Sequence, residues 1–211
     1  MTLARSHILT FFFAAFVALT YSCGEVAAPT HAKSLAGFTA RPNADEFSVN
    51  KIPLKLPLTN PKIVVWKSRR RLMLYDNNKL VRVYRVGLGT DPVNDKVKEG
   101  DRRTPEGEFY IFTKNEHSQF YLSLGISYPN IADAERGLRD GLITRAQHDQ
   151  IVDAIRRRVT PPQHTSLGGE IYIHGNGSQS DWTWGCVALD NENMRELFDA
   201  VPVKTPVVIH H

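Results

Sequence analysis

From residue 62 onward the chain alternates short apolar runs with turn residues. Residues 62–67 (KIVVWK), 71–75 (RLMLY) and 80–86 (LVRVYRV) have the length and β-branched content of strands. Asp76-Asn77-Asn78, between the last two, is a hairpin turn signal. Gly87 and Gly89 open a polar stretch, 91–101, that reads as a mobile loop. Thr104-Pro105-Glu106-Gly107 then turns the chain into a strand over 108–113 (EFYIFT). A further strand over 120–126 ends at Tyr128-Pro129-Asn130. Here the period changes. Residues 132–138 read as helix, and Thr144 with Gln147 forms a capping box ahead of a helix over 146–158, which Pro161-Pro162 stops. This helical insertion, 131–163, carries Arg139, Arg145, Arg156, Arg157 and Arg158, either as a solvated face or as a basic lid over an acidic substrate.

The pattern then returns to β. Ile171 and Ile173 alternate with Tyr172 and His174, which sends the isoleucines to one face and the other pair to the opposite face. Gly175 and Gly177 break that strand. Past Cys186, Asp190 or Asn191 caps a helix with Met194, Leu197, Phe198 and Val201 on one face, and 206–210 (PVVIH) gives a closing strand. No internal repeat is present. The pattern predicts a mainly β domain with a helical insertion and a helix after Cys186.

At 211 residues the chain can hold one substantial core. Its net charge of +4 suits an anionic wall polymer or membrane surface. That charge is too mild for nucleic acid, and no aromatic-basic RNA-binding pattern accompanies it. Arg5 and His7 precede an apolar run over 8–19, shorter than a bilayer span and of the length of a secretory signal core. Residues 1–28 are therefore expected to be a signal peptide, with small residues at 26–28 and 30–32 as cleavage positions; the alternative is an uncleaved anchor. Ser22-Cys23 also offers an imperfect lipoprotein box, with Leu19 one place too early. The expected location is the periplasm or cell envelope, with membrane contact only through the signal or a lipid on Cys23. Residues 29–60 read as a linker whose later part (Ile52, Leu54, Leu56, Leu58) lies along the domain as an edge segment, since Pro53 and Pro57 exclude a central strand. The domain itself spans 61–211.

Cysteine usage points to the chemistry. Cys23 is removed or lipidated on these readings, which leaves Cys186 unpaired in an exported protein. A disulfide between the two would require the signal segment to stay attached. Cys186 is a candidate nucleophile and His174 its base, the imidazole lowering the thiol pKa and later giving a proton to the leaving amine. Backbone N–H groups around Gly185-Cys186 are candidate oxyanion donors, and the Gly175 carbonyl is a candidate for orienting the imidazole. A structural cysteine and a core histidine remain the alternative. His117, His148 and His164 have no ligand spacing, so no metal is expected. No phosphate loop or dinucleotide fingerprint occurs, and no cofactor is expected.

The segment Asp181-Trp182-Thr183-Trp184-Gly185-Cys186-Val187-Ala188, with His174-Gly175 before it, resembles the active-site motif of the L,D-transpeptidase (YkuD-type) family. Arg103-Thr104-Pro105-Glu106-Gly107-Glu108-Phe109 and Ser127-Tyr128-Pro129-Asn130 are similar to further segments of one branch, in the family's order, from about residue 61 to the C-terminus. The resemblance implies a sandwich- or barrel-like β domain acting on peptidoglycan stem peptides through a thioester on Cys186. It implies His174 as base and then acid, with Gly175 and Gly185 in supporting roles. Tyr128, Trp182, Thr183 and Arg103 are the expected substrate contacts. Cross-linking or protein anchoring would follow from transfer, and hydrolysis, including release of a wall-linked lipoprotein, is the alternative. A non-catalytic wall-binding module is the other. Two departures stand out: many members carry histidine where this chain has Trp184, and arginine where it has Ala188. Arg102, Arg103 or the insertion's arginines are candidates to replace the missing charge.

Overall fold

The computed structural model describes residues 46–211. The expected signal, the Cys23 lipid site and the first part of the linker lie outside the described residues. Within them, β1 (Pro61–Trp66), β2 (Arg71–Asp76), β3 (Lys79–Arg85), β4 (Gly107–Ser118), β5 (Tyr121–Ile126), β6 (Tyr172–His174), β7 (Val187–Ala188) and β8 (Pro206–His210) form one eight-stranded sheet. The order is β3-β2-β1-β8-β4-β5-β6-β7. Just past β3, Gly87 pairs in antiparallel fashion with Ala188 of β7, so the two edges of the sheet meet and the sheet closes in a barrel-like way.

Local chemistry explains the first strands. Asn77 and Asn78 both have positive φ (49° and 64°), the conformation a two-residue hairpin turn needs, and they set Asp76 opposite Lys79. Ile63 and Val65 are fully buried, and Val64 on the other face is nearly so, as befits a strand between two neighbours. The expected run 62–67 stops one residue early. Lys67 instead begins a short 3-10 turn, and its buried ammonium donates to Glu106 Oε1, Asn94 O and Thr104 O at 2.7–2.9 Å. All three of its protons are thus satisfied, which is the condition for burying a charge.

The helices α1 (Ile131–Arg139) and α2 (Arg145–Arg156) form the insertion, and α3 (Asn191–Ala200) packs Met194, Leu197 and Phe198 into the main core. Thr144 and Gln147 make the capping box read from the sequence, and Asn130 with Asp133 makes a second one. Ala134, Ile143, Ile151 and Leu167 give the insertion its own small core. The arginines expected to form a lid do not line the cleft described below. Arg157 pairs with Asp153 on the same helix, Arg139 with Asp140, and Arg158 lies over the Tyr110 ring.

One further expectation is corrected and one holds. The loop 91–101 is pinned rather than loose: the Asp101 carboxylate accepts the N–H groups of Val97, Lys98 and Arg103 and the Lys96 ammonium. Before β1, Asn50 donates to Val83 O and accepts the Val83 N–H, and Leu54 and Leu58 pack against the core. That part of the linker lies along the domain, as the prolines suggested.

Candidate active site

The site forms where β6 ends and β7 begins. The two strands are parallel, with Ile173 opposite Val187 and His174 opposite Ala188. The same register sets Cys186 beside Tyr172, whose N–H donates to Sγ at 3.4 Å. Side chains two apart on a strand share a face, so the thiol and the imidazole lie on one face, diagonally across the ladder. Both line one open cleft of about 380 Å³. The far wall is the outer part of the β4–β5 hairpin, including His117, Gln119 and Phe120.

His174 is 2% exposed. Its Nδ1 lies 2.7 Å from the Gly175 carbonyl oxygen. A carbonyl only accepts, so Nδ1 carries the proton and Nε2 is the nitrogen left as base. The ring is clamped by Phe120 at 4.7 Å and by Trp182 edge-on at 5.5 Å. Burial in this aromatic slot lowers its pKa below the ordinary histidine value, and the Gly175 hydrogen bond opposes that in part.

The thiol is set differently from the sequence expectation. Burial pushes the Cys186 pKa up to about 11, against the opposing pull of the Tyr172 N–H and the Lys96 charge. In the resting site S–H donates to the Glu170 carbonyl at 3.7 Å. Raised thiol and lowered imidazole together favour the neutral pair over a thiolate–imidazolium pair. Iodoacetamide alkylation of Cys186 in the free protein is therefore expected to keep accelerating with pH toward about 11, with no plateau near neutrality. A plateau at pH 6–8 would show the ion pair instead.

The loop before Cys186 is held from several sides. Thr183, 3% exposed, donates its hydroxyl to Cys186 O (2.7 Å) and accepts the Gly185 N–H (3.1 Å). Its expected substrate contact is thus replaced by a structural one. Asp181 anchors the loop to the β1–β2 connection, accepting Arg70 Nε and Nη2 and the Leu88 N–H. Gly185 has φ of +125°, and a Cβ there would lie 2.6 Å from Arg103 O. No other residue fits.

The other expected contacts divide. Trp182 is half-buried, donates Nε1–H to Gly177 O and packs on His174, so it shapes the histidine's slot. Arg103 is turned to Asp91, which accepts its Nε at 2.7 Å and whose carboxyl is held below the usual range chiefly by that bond. Tyr128 is fully buried and donates to Leu167 O (2.9 Å), tying the β5 exit to the insertion. Neither lines the cleft. Trp184 is 67% exposed under the Arg102 guanidinium, 4.3 Å from the ring centroid. Asp190 sits at the N-cap position of α3 as expected, but its side chain makes no capping hydrogen bond. Asp190 accepts from Ser178 and Gln179, and Asn191 accepts the Asn176 N–H, so both tie down the loop after His174.

Sequence reasoning missed Glu170 and the hairpin wall. Glu170 has φ of +52°, and a non-glycine residue in that region beside a reactive group is a signal only coordinates reveal. Among the described residues no cluster of histidine, cysteine and carboxylate side chains could hold a metal ion.

No curated protein matches the chain. Among solved structures, the helical cell shape determining protein Pgp2 from Campylobacter jejuni is 24% identical, with a TM-score of 0.49, over 73% of this chain and 48% of that one. Bd1075 from Bdellovibrio bacteriovorus is 20% identical, with a TM-score of 0.46, over 72% and 48%. An L,D-transpeptidase from Xylanimonas cellulosilytica is 17% identical, with a TM-score of 0.41, over 75% and 64%. The chain thus spans less than two thirds of each of these structures. The family model of the L,D-transpeptidase catalytic domain, YkuD, matches residues 60–209, and the chain belongs to that family.

Proposed function

We propose that this chain is a cysteine L,D-transpeptidase acting on peptidoglycan stem peptides. The observation that carries the reading is the Nδ1–Gly175 contact, which leaves Nε2 of a neutral imidazole as base on the face that bears the thiol. Cys186 gives its proton to Nε2 as sulfur bonds to the carbonyl of the third stem residue. The Gly185 N–H is taken by Thr183, so the oxyanion donor in the loop is the Cys186 N–H. The C–N bond to D-Ala then breaks, and the departing nitrogen takes the proton from His174, leaving a thioester. In the second half a neighbouring amine attacks: the C–N bond forms, the C–S bond breaks, and one amine proton passes through His174 to the sulfur. Water in place of the amine gives a carboxypeptidase or, on a lipoprotein linkage, a releasing hydrolase.

The same reading takes residues 1–28 as an export signal and the periplasm or envelope as the site of action, a protein or lipoprotein being one acceptor class. The test is product analysis with a stem tetrapeptide donor and a diamine acceptor. Transfer predicts D-Ala release with a cross-linked product. Tripeptide alone would move the assignment to hydrolysis, and no D-Ala release would leave only a wall-binding module.

A further inference from the structure

Three of the nine large apolar side chains exposed among the described residues, Phe47, Ile52 and Leu56, fall within ten positions of one another. They lie on the strap 47–60, which runs ahead of β1. Single exposed apolar residues are ordinary on a protein surface, whereas a run of them marks a surface that meets something. Packing within the domain does not account for this run. Leu54 and Leu58 pack against the core and Asn50 fixes the strap to Val83 of β3, while Ile52 is 62% exposed and Leu56 51%. Pro53 and Pro57 withhold two N–H groups, which makes the strap a poor edge for pairing with a strand of another chain.

The charges beside these residues are of one sign. Residues 47–60 contain Lys51 and Lys55 and no carboxylate. Both lysines are exposed, as are Lys79 and Arg85 on β3, and among the described residues none of the four takes part in an ion pair. The carboxylates Asp76 and Glu196 are occupied: Asp76 accepts the Thr59 and Asn60 N–H groups, and Glu196 pairs with Arg82. Apolar side chains flanked by lysines, whose stems lie along apolar surface while the ammonium stays wet, suit the headgroup layer of an anionic bilayer. The chain ahead of the strap brings it within reach of one. Residues 20–46 connect the strap to the apolar run 8–19 and bound that tether to roughly 90 Å at full extension.

We propose that the strap 47–60 is a membrane-docking surface, which lays Phe47, Ile52 and Leu56 into the headgroup layer of an anionic phospholipid bilayer with Lys51 and Lys55 at the phosphates. The inference goes beyond the proposed reaction and takes from that reading only that the chain works at the envelope. A few side chains bind a bilayer weakly by themselves. Tethered through the N-terminus, the same contact becomes intramolecular, and a weak surface is enough to hold the domain against the membrane.

The test uses the full chain carrying Ile52→Trp, mixed with vesicles of phosphatidylcholine alone or of phosphatidylcholine with phosphatidylglycerol, the acyl chains being brominated to quench a nearby indole. The fluorescence lost beyond that of the parent chain is expected to be about three-fold or more larger in the anionic vesicles. Lys51→Gln with Lys55→Gln is expected to bring it down to the level of the neutral vesicles, and raising salt to do the same. Val93→Trp, on the loop 91–101, controls for general adsorption and is expected to show no such loss. Equal quenching in the two kinds of vesicle, quenching that survives the loss of both lysines, or equal quenching at position 93 overturns the docking surface. An indole at position 52 that is blue-shifted before lipid is added and never quenched also overturns it, because a second copy or residues 1–45 then cover the strap. D-Ala release does not enter the readout, so failure of the proposed reaction and failure of the docking surface are told apart.

Discussion

Cys186→Ser is expected to lower the turnover of a stem tetrapeptide by at least about 10⁴-fold while changing stability by less than about 1 kcal/mol. The hydroxyl fits where the thiol was. It is a far weaker nucleophile without a strong base, and His174 is a weakened one because burial lowers its pKa. Thermal unfolding and D-Ala release measured on the same preparation separate the two effects. Turnover within ten-fold of the parent would remove Cys186 from the chemistry.

Gly185→Ala is expected to show the opposite pairing, with stability and activity falling together. A Cβ at that position lies 2.6 Å from the Arg103 carbonyl oxygen, and a φ of +125° is disfavoured for alanine. The loop must move or the strain must be stored, at a cost of about 2–3 kcal/mol. Because Thr183 ties the Gly185 N–H and the Cys186 carbonyl into one unit, a shift here carries the sulfur with it. A displacement of about 1 Å at a reacting atom can cost about 100-fold in rate, which is the expected loss. Parental activity together with parental melting would mean that the glycine is not required by the backbone.

Much of the scaffold was legible because its signals are local. The Asn77-Asn78 turn, the Thr144–Gln147 capping box and the apolar face of α3 each depend on neighbours a few residues apart. That His174 and Cys186 line one cleft was legible for the same reason: a strand, a glycine break and a return segment lie close in the chain. What escaped was set by distant contacts. The outer half of β4, residues 114–118, is polar throughout and exposed at 115–117, so no alternation marked it as strand, although it lines the cleft. Tyr128 and Arg103 were polar enough to suggest substrate contacts, yet their partners Leu167 and Asp91 use them for structure. The loop 91–101 looked loose because a polar composition does not reveal one carboxylate gathering three N–H groups. The thiol pKa followed the same rule: the histidine was visible in the sequence, and the burial that overrides it was not.

The most direct measurement is the intact mass of the protein, quenched in acid within the first turnovers on a stem tetrapeptide and followed by peptide mapping. An adduct of the donor less D-Ala, labile to hydroxylamine and mapped to Cys186, is the predicted result. Tetrapeptide consumed with no adduct at Cys186, or an adduct on any other side chain, would contradict it.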